Sequence, residues 1–261
     1  MSLSNLNGRV EGFVDAICGS AACQIVFPVG MGQKPVMSVA NQNAWTLEAQ
    51  GLTKRLGGLQ LFTNIDLQVL GGEVLVVRGG NGSGKTTLLR ILSGLLEPDA
   101  GTVCVRMGLE AIEPSEHASE IHYFGHNNAL KASQTTRANL QFWRGYLGGE
   151  ANVEQIAARM DVAHLLDLPI MALSAGQKRR VGFARLMLAH RPIWLLDEPT
   201  AALDAVSSAL IETLVEEHLN NGGLAIAATH LPFLQNRARS VDMADFATGT
   251  TANQPDNGLD W

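Results

Sequence analysis

The pattern of apolar and polar residues changes character near residue 45. Before that point the chain holds small, mildly apolar stretches such as DAICGSAACQIVFPVGMG, and ordinary patterning begins only at WTLEAQGLTKRL. From Trp45 onward the pattern predicts strands at 45–49, around 65–69 and at 73–77. A helix is predicted from about Gly84 to Gly94, with Leu88, Leu89, Leu92 and Leu95 at helical spacing. The short apolar runs IWLL at 193–196 and LAIAAT at 224–229 read as strands buried on both faces, the habit of parallel sheets. Between the predicted helix and these runs, 135–190 is helix-rich and more polar. The expected class is α/β: a mostly parallel sheet with helices on its faces and a helical insertion.

Residues 1–43 are expected to be a disordered extension or the product of a start assigned too far upstream, with Met31 and Met37 as alternative starts. The segment makes a poor signal peptide, because Asp15 and Gln24 interrupt its apolar stretch and Arg9 is the sole side-chain positive charge before it. Residues 44–250 are expected to form one domain, with a helical subdomain at about 127–190, and residues 251–261 a tail. At 261 residues with 46% hydrophobic content, the chain has ample material for a core. A net charge of −6 supplies no overall positive field for nucleic acid, which argues against such a partner. Cys18, Cys23 and Cys104 have no spacing that suggests a disulfide framework, a zinc site or covalent haem. The lack of any apolar run of 18 or more residues implies that the chain does not span a bilayer by itself.

The glycines between the third predicted strand and the first predicted helix carry the chemistry. Gly79, Gly80, Asn81, Gly82, Ser83, Gly84, Lys85 and Thr86 fit G-x-x-x-x-G-K-[ST] in the required strand–loop–helix context. Bare backbone lets successive N–H groups turn toward phosphate oxygens at a helix N-terminus. Lys85 then reaches the β- and γ-phosphates of a nucleotide, and the Thr86 hydroxyl holds Mg²⁺. The alternative, a glycine-rich turn with no ligand, explains neither the lysine nor the context.

Hydrolysis needs more than phosphate binding. RPIWLLDEPTAALD places Asp197 and Glu198 at the C-terminal end of a predicted strand, where open α/β sheets bind ligands. Asp197 suits a carboxylate that holds Mg²⁺ directly or through its water, and Glu198 suits the base for an attacking water. Alone, such a pair is better read as a solvated loop, and the phosphate loop upstream reverses that preference. His230 follows the next apolar run, and its position favours a γ-phosphate contact through a neutral imidazole that donates a hydrogen bond. In LSAGQKRRVGFARLMLAH, Ser174 and Gln177 form a capping box for a helix expected to run to Arg191-Pro192. That helix start is either a simple cap or a second anion site built from Ser174 and the Gly176 backbone.

Taken together, these motifs resemble the ATP-binding cassette (ABC) ATPases over Thr46 to Phe246: GGNGSGKT, the signature LSAGQ, IWLLDE, Asp204 of AALD and His230 stand in the family order. The resemblance implies a P-loop NTPase (RecA-like) parallel sheet, an antiparallel β subdomain and a helical signature subdomain. It implies ATP and Mg²⁺ as ligands, with Thr87, Gln177 and Asp204 joining the nucleotide contacts. It further implies a homodimer, in which Ser174 and Gly176 of one copy close over ATP held by the other.

Two positions depart from the family pattern. The usual glutamine between phosphate loop and signature falls on His126, beside Asn127, and the aromatic residue expected at the adenine falls near Leu56, leaving Phe62 as a substitute. Within the family, YFGHNNALK, ANLQFW and EEHLNNGGLAIAATH resemble the haem-exporter ATPase subfamily of bacterial cytochrome c maturation, from Trp45 onward. That resemblance implies a peripheral subunit on the cytoplasmic face of the inner membrane. Its integral membrane partners would be of CcmB and CcmC type, and its ATP hydrolysis would release a haem-loaded periplasmic chaperone. In TTRANLQFWRGYLGG, Leu140, Trp143 and Leu147 share one helical face and Phe142 and Tyr146 another, so this helix either packs its own subdomain or offers a groove to a membrane partner. Other functions within the family are a different transporter's ATPase, or a soluble ATPase acting on DNA or ribosomes. The absence of a second cassette and of heptad repeats argues against the soluble class. A nucleotide switch without turnover is disfavoured by Lys85, Asp197 and Glu198.

Overall fold

The computed structural model describes residues 44–247. The expectations for 1–43 and 251–261 lie outside the described residues.

Two sheets organise the described chain. Strands β1 (Trp45–Leu56), β2 (Leu59–Leu70), β4 (Ala100–Met107) and β5 (Glu110–Ile112) form an antiparallel sheet in the order β2-β1-β4-β5. Strands β3 (Val74–Arg78), β6 (Ile121–Phe124), β7 (Ile193–Asp197), β8 (Leu224–Ala228) and β9 (Arg239–Asp242) form the second sheet in the order β6-β7-β8-β3-β9, with every pairing parallel. The helices are α1 (Lys85–Leu92), α2 (His117–Glu120), α3 (Thr136–Tyr146), α4 (Val153–Arg159), α5 (Ala175–Ala184) and α6 (Ala205–Asn220).

The apolar runs read as buried strands are β3, β7 and β8, the middle of the parallel sheet. Successive side chains on a strand point to opposite faces, so each strand feeds two cores. Val74, Val76, Trp194, Leu196, Ala225 and Ala227 face a core shared with α3 to α6. Leu75, Val77, Ile193, Leu195, Ile226 and Ala228 face a core shared with α1 and the antiparallel sheet. An all-parallel sheet covered on both faces needs such continuous apolar strands.

The predicted elements differ from the observed ones in four respects. β1 and β2 run to 12 residues each, because Gly51, at φ 60°, sits where the β1–β2 register shifts and the ladder resumes beyond it. α1 stops at Leu92, and Gly94 turns the chain at φ 72°, so Leu95 falls outside the buried stripe and is 64% exposed. α5 ends at Ala184 and tightens into one 3₁₀ turn, Arg185–Met187, well short of Pro192. Beyond that turn the Ala189 carbonyl accepts from His122 Nε2 at 2.9 Å, so a side chain of β6 satisfies what a continuing helix would have bonded internally. Lastly, β4, β5, β6 and β9 are too short or too mixed in polarity for periodicity to reveal.

Residues 127–190 hold α3, α4 and α5. Within α3, Leu140 is fully buried, whereas Phe142 and Tyr146 are exposed and stack at 6.2 Å. Trp143 packs partly against the core, donates from Nε1 to the Ala129 carbonyl at 2.9 Å, and lies under the Arg185 guanidinium. Among the described residues no helix is long and apolar enough to cross a membrane.

Candidate active site

β3, β7 and β8 are neighbours, so their C-terminal ends open onto one edge. The loop after β3 carries the glycine motif and leads straight into α1, whose N-cap is Gly84 at φ 96° with no side-chain cap. A Cβ at Gly84 would stand 3.0 Å from Phe62 Cδ1, and one at Gly79, φ 140°, would stand 2.7 Å from Ser83 Oγ. Both backbone angle and neighbours therefore require glycine there. The uncapped α1 end leaves backbone N–H groups and the positive end of the helix dipole facing the loop.

Around this end lies a cavity of about 350 Å³ lined by Leu56, Leu61, Asn81, Gly82, Gly84, Lys85, Thr86, Thr87, His126, Asp197 and Glu198. Lys85 Nζ donates to the Gly79 and Gly80 carbonyls at 2.8 and 2.9 Å, which holds its ammonium inside the loop. The Thr86 hydroxyl donates to the Asp197 carboxylate, 3.1 and 3.0 Å from its two oxygens. Asp197 is buried, and desolvation raises its pKa above the usual carboxylate range, with Glu198 adding like-charge repulsion while Thr86, Arg179 and His126 oppose the rise. A buried carboxylate beside a hydroxyl is a pair of hard oxygen donors, the set Mg²⁺ prefers, and so the residues present fit that ion.

Glu198 adopts φ 51°, in the left-handed region, directly after β7, and its N–H donates to the Ala228 carbonyl at 2.8 Å. This turn directs its carboxylate to the end of β8, where Oε2 accepts from the Thr229 hydroxyl at 3.0 Å and Oε1 from His230 Nδ1 at 2.9 Å. His230 Nδ1 is thus turned toward Glu198. A neutral imidazole whose Nδ1 donates to Glu198 presents Nε2 as an acceptor. It donates to a phosphate only when protonated or turned away from Glu198.

The remaining predicted residues separate into two groups. His126 lines the cavity from the loop after β6, and Thr87 from α1. Ser174, Gly176, Gln177 and Asp204 do not line it. Ser174 caps α5 with its hydroxyl accepting from Gln177 N at 3.2 Å while Gln177 Oε1 accepts from Ser174 N at 2.9 Å, the full predicted capping box. Asp204 caps α6, accepting from Ser207 N at 2.7 Å. Phe62 is fully buried beneath Gly84 and is withdrawn from any base contact; Leu56, 59% exposed, and Leu61 supply the aliphatic wall instead. Sequence reasoning passed over Thr229 and Arg179, which hold Glu198 by side chain and by backbone respectively. The signal for Arg179 was its place on the face of α5 shared with buried Gly182 and Phe183, a position where a charge needs partners.

The ABC transporter family model matches residues 62–201, and the chain belongs to that family. Within the family it is 44% identical over 207 residues to the cytochrome c biogenesis ATP-binding export protein CcmA of Rhizobium johnstonii, covering 77% of this chain and 95% of the relative. The protein of the same name from Brucella abortus is 44% identical over 211 residues, covering 77% and 97%. Among solved structures, the fold matches the ATP-binding cassette MJ0796, a dimer in a post-hydrolysis state bound to ADP and Pi, with a TM-score of 0.61 and 23% identity over 71% of this chain and 88% of that one.

Proposed function

We propose that the chain is the ATP-hydrolysing subunit of an ABC-type haem exporter of cytochrome c maturation, and that its turnover drives release of a haem-loaded periplasmic chaperone. The observation that carries the chemistry is the convergence of Lys85, Thr86, Asp197 and Glu198 on one cavity, with His230 hydrogen-bonded to Glu198. The biological assignment is supported by 44% identity to CcmA proteins along nearly their full length.

In this reading residues 44–250 are the ATPase cassette and 127–190 its helical subdomain. The loop 79–84 and the α1 N-terminus bind the phosphates of ATP, and Lys85 exchanges its two carbonyl partners for β- and γ-phosphate oxygens. Thr86 and Asp197 would hold Mg²⁺, which supplies charge neutralisation on those oxygens when bound. Glu198 takes the proton of a water whose oxygen attacks the γ-phosphorus, while the bond from that phosphorus to the ADP oxygen breaks. His230 and Thr229 orient the carboxylate. Ser174, Gly176 and Gln177 lie outside the lining of their own cavity, which suits a homodimer where they complete the partner's site, with Asp204 joining the nucleotide contacts. Phe142 and Tyr146 are the exposed aromatic groups that suit a contact with integral membrane subunits of CcmB and CcmC type, placing the chain as a peripheral protein on the cytoplasmic side of the inner membrane.

A strain carrying Lys85→Ala tests this assignment. The variant is expected to assemble with the membrane subunits, to leave the haem-loaded chaperone accumulated, and to abolish c-type cytochromes on haem-stained gels. Haem b proteins in the same membranes stay normal by absorption spectroscopy, since their haem needs no covalent attachment. Normal c-type cytochromes in that strain would sink the haem-export reading while leaving the ATPase chemistry intact.

A further inference from the structure

The guanidinium of Arg179 occupies the space between the two loops that flank the cavity, and it is 5% exposed. Nη1 donates to the Gly125 carbonyl at 3.0 Å, the His126 carbonyl at 3.2 Å and Asn128 Oδ1 at 3.0 Å. Nη2 donates to the backbone carbonyls of Asp197 and Glu198, both at 2.6 Å. The group also lies 4.0 Å above the Phe124 ring. All five hydrogen-bond acceptors are neutral, and burial lowers the Arg179 pKa to about 10, partly countered by the Asp197 and Glu198 charges. A cation held in this way is costly in an interior, and a merely space-filling position would be better served by an apolar side chain.

The geometry of the two loops gives the arginine its use. β6 and β7 are adjacent and parallel, and their ladder ends at the Phe124–Leu196 pair, so it does not join 125–128 to 197–198. One planar fork reaches the carbonyls of both, which a single point charge does not match. Two of those carbonyls bracket the left-handed turn that directs the Glu198 carboxylate, and another belongs to His126 on the opposite wall. The arginine itself rides on α5, five residues after Ser174.

We propose that Arg179 is a positioning residue for ATP hydrolysis: it fixes the backbone that aims the Glu198 carboxylate, bracing it against the 125–128 loop and the helix that carries Ser174. The proposal rests on Glu198 as the base. Misplacing a catalytic group by about 1 Å costs on the order of 100-fold in rate, which sets the effect expected when the fork is removed.

The test uses the purified full chain with Arg179→Met, Arg179→Lys, Glu198→Gln and the Arg179→Met/Glu198→Gln double variant, with ATP and Mg²⁺ as the probe. Arg179→Met is expected to lower kcat per nucleotide-binding site on the order of 100-fold, with KM changed by less than about threefold. Arg179→Lys, able to serve part of the carbonyl set, falls between. In the Glu198→Gln background, Arg179→Met adds no further loss, because the group it positions is already gone. Equal fractional losses in both backgrounds would mark a merely structural role and overturn the proposal, as would a wild-type kcat in Arg179→Met. Should Arg179→Met fail to fold, the same two-background comparison with Arg179→Lys decides. Wild-type hydrolysis by Glu198→Gln alone would instead remove the base assignment on which the proposal stands.

Discussion

The N-termini of α1 and α5 are both offered to phosphate by the sequence motifs, yet they are built in opposite ways. α1 begins at a left-handed glycine with no side-chain cap and lines the cavity. α5 begins with a complete capping box and lies outside the cavity lining. The difference shows that a helix end binds an anion according to how many of its N–H groups the chain has already satisfied. At α1 they remain for the ligand. At α5 the Ser174 and Gln177 N–H groups are taken, which leaves the Ser174 hydroxyl hydrogen and the N–H groups of Ala175 and Gly176. In the proposed dimer, such an end would suit a phosphate already held by a stronger site.

The sharpest way to break the comparison is to put a methyl group on the uncapped end. Gly84→Ala must carry a Cβ at φ 96° against Phe62, and a displaced loop is expected to lose on the order of 100-fold in turnover. Nucleotide affinity falls with it, measurable by titration with a fluorescent ATP analogue; unchanged affinity would mean the α1 end is not the primary phosphate seat. Ser174→Ala comes next. As a cap alone the serine contributes about 1 kcal/mol of stability, visible in a melting curve, with per-site hydrolysis intact. As a contact to the partner's phosphate it supports hydrolysis as well, and turnover is expected to fall at least tenfold, roughly the worth of one charge-assisted hydrogen bond. Mixing Ser174→Ala with Lys85→Ala protomers then restores activity, since each heterodimer holds one intact composite site. No recovery would place the serine's action within its own chain. The smallest effect concerns the far end of the cavity. Leu56→Tyr adds an aromatic face to the aliphatic wall and is expected to tighten ATP binding about 2- to 10-fold. No gain would show that the base packs elsewhere.

How legible each part was in the sequence follows from how local its physics is. The phosphate loop and the capping box each satisfy their requirements within a few consecutive residues, so pattern and chemistry coincide, and Asp197 and Glu198 are marked by the apolar run directly before them. The buried strands β3, β7 and β8 were legible for the same reason, as uninterrupted apolar runs. β6 was hidden because IHYF mixes polarity, its polar member, His122, being buried and satisfied by the distant Ala189 carbonyl. The end of α5 and the burial of Phe62 depend equally on partners far along the chain. Arg179 illustrates the point most fully: it sits inside a quoted motif, but its partners lie 18 to 54 positions away. The His230–Glu198 contact was equally illegible, because its partner lies 32 positions back.

Glu198 is also where two selective demands collide. Its φ of 51° belongs to a region in which a residue other than glycine carries a strain of about 1–3 kcal/mol. Glycine or asparagine would relieve it. Mutational drift toward a sturdier protein therefore pulls this codon away from glutamate, and in the proposed mechanism turnover draws it back. With Glu198 as the proposed base, a screen of variants for heat resistance without selection for activity runs downhill at position 198 into sturdy proteins that no longer turn over, so thermostability would be a poor guide to fitness at that site.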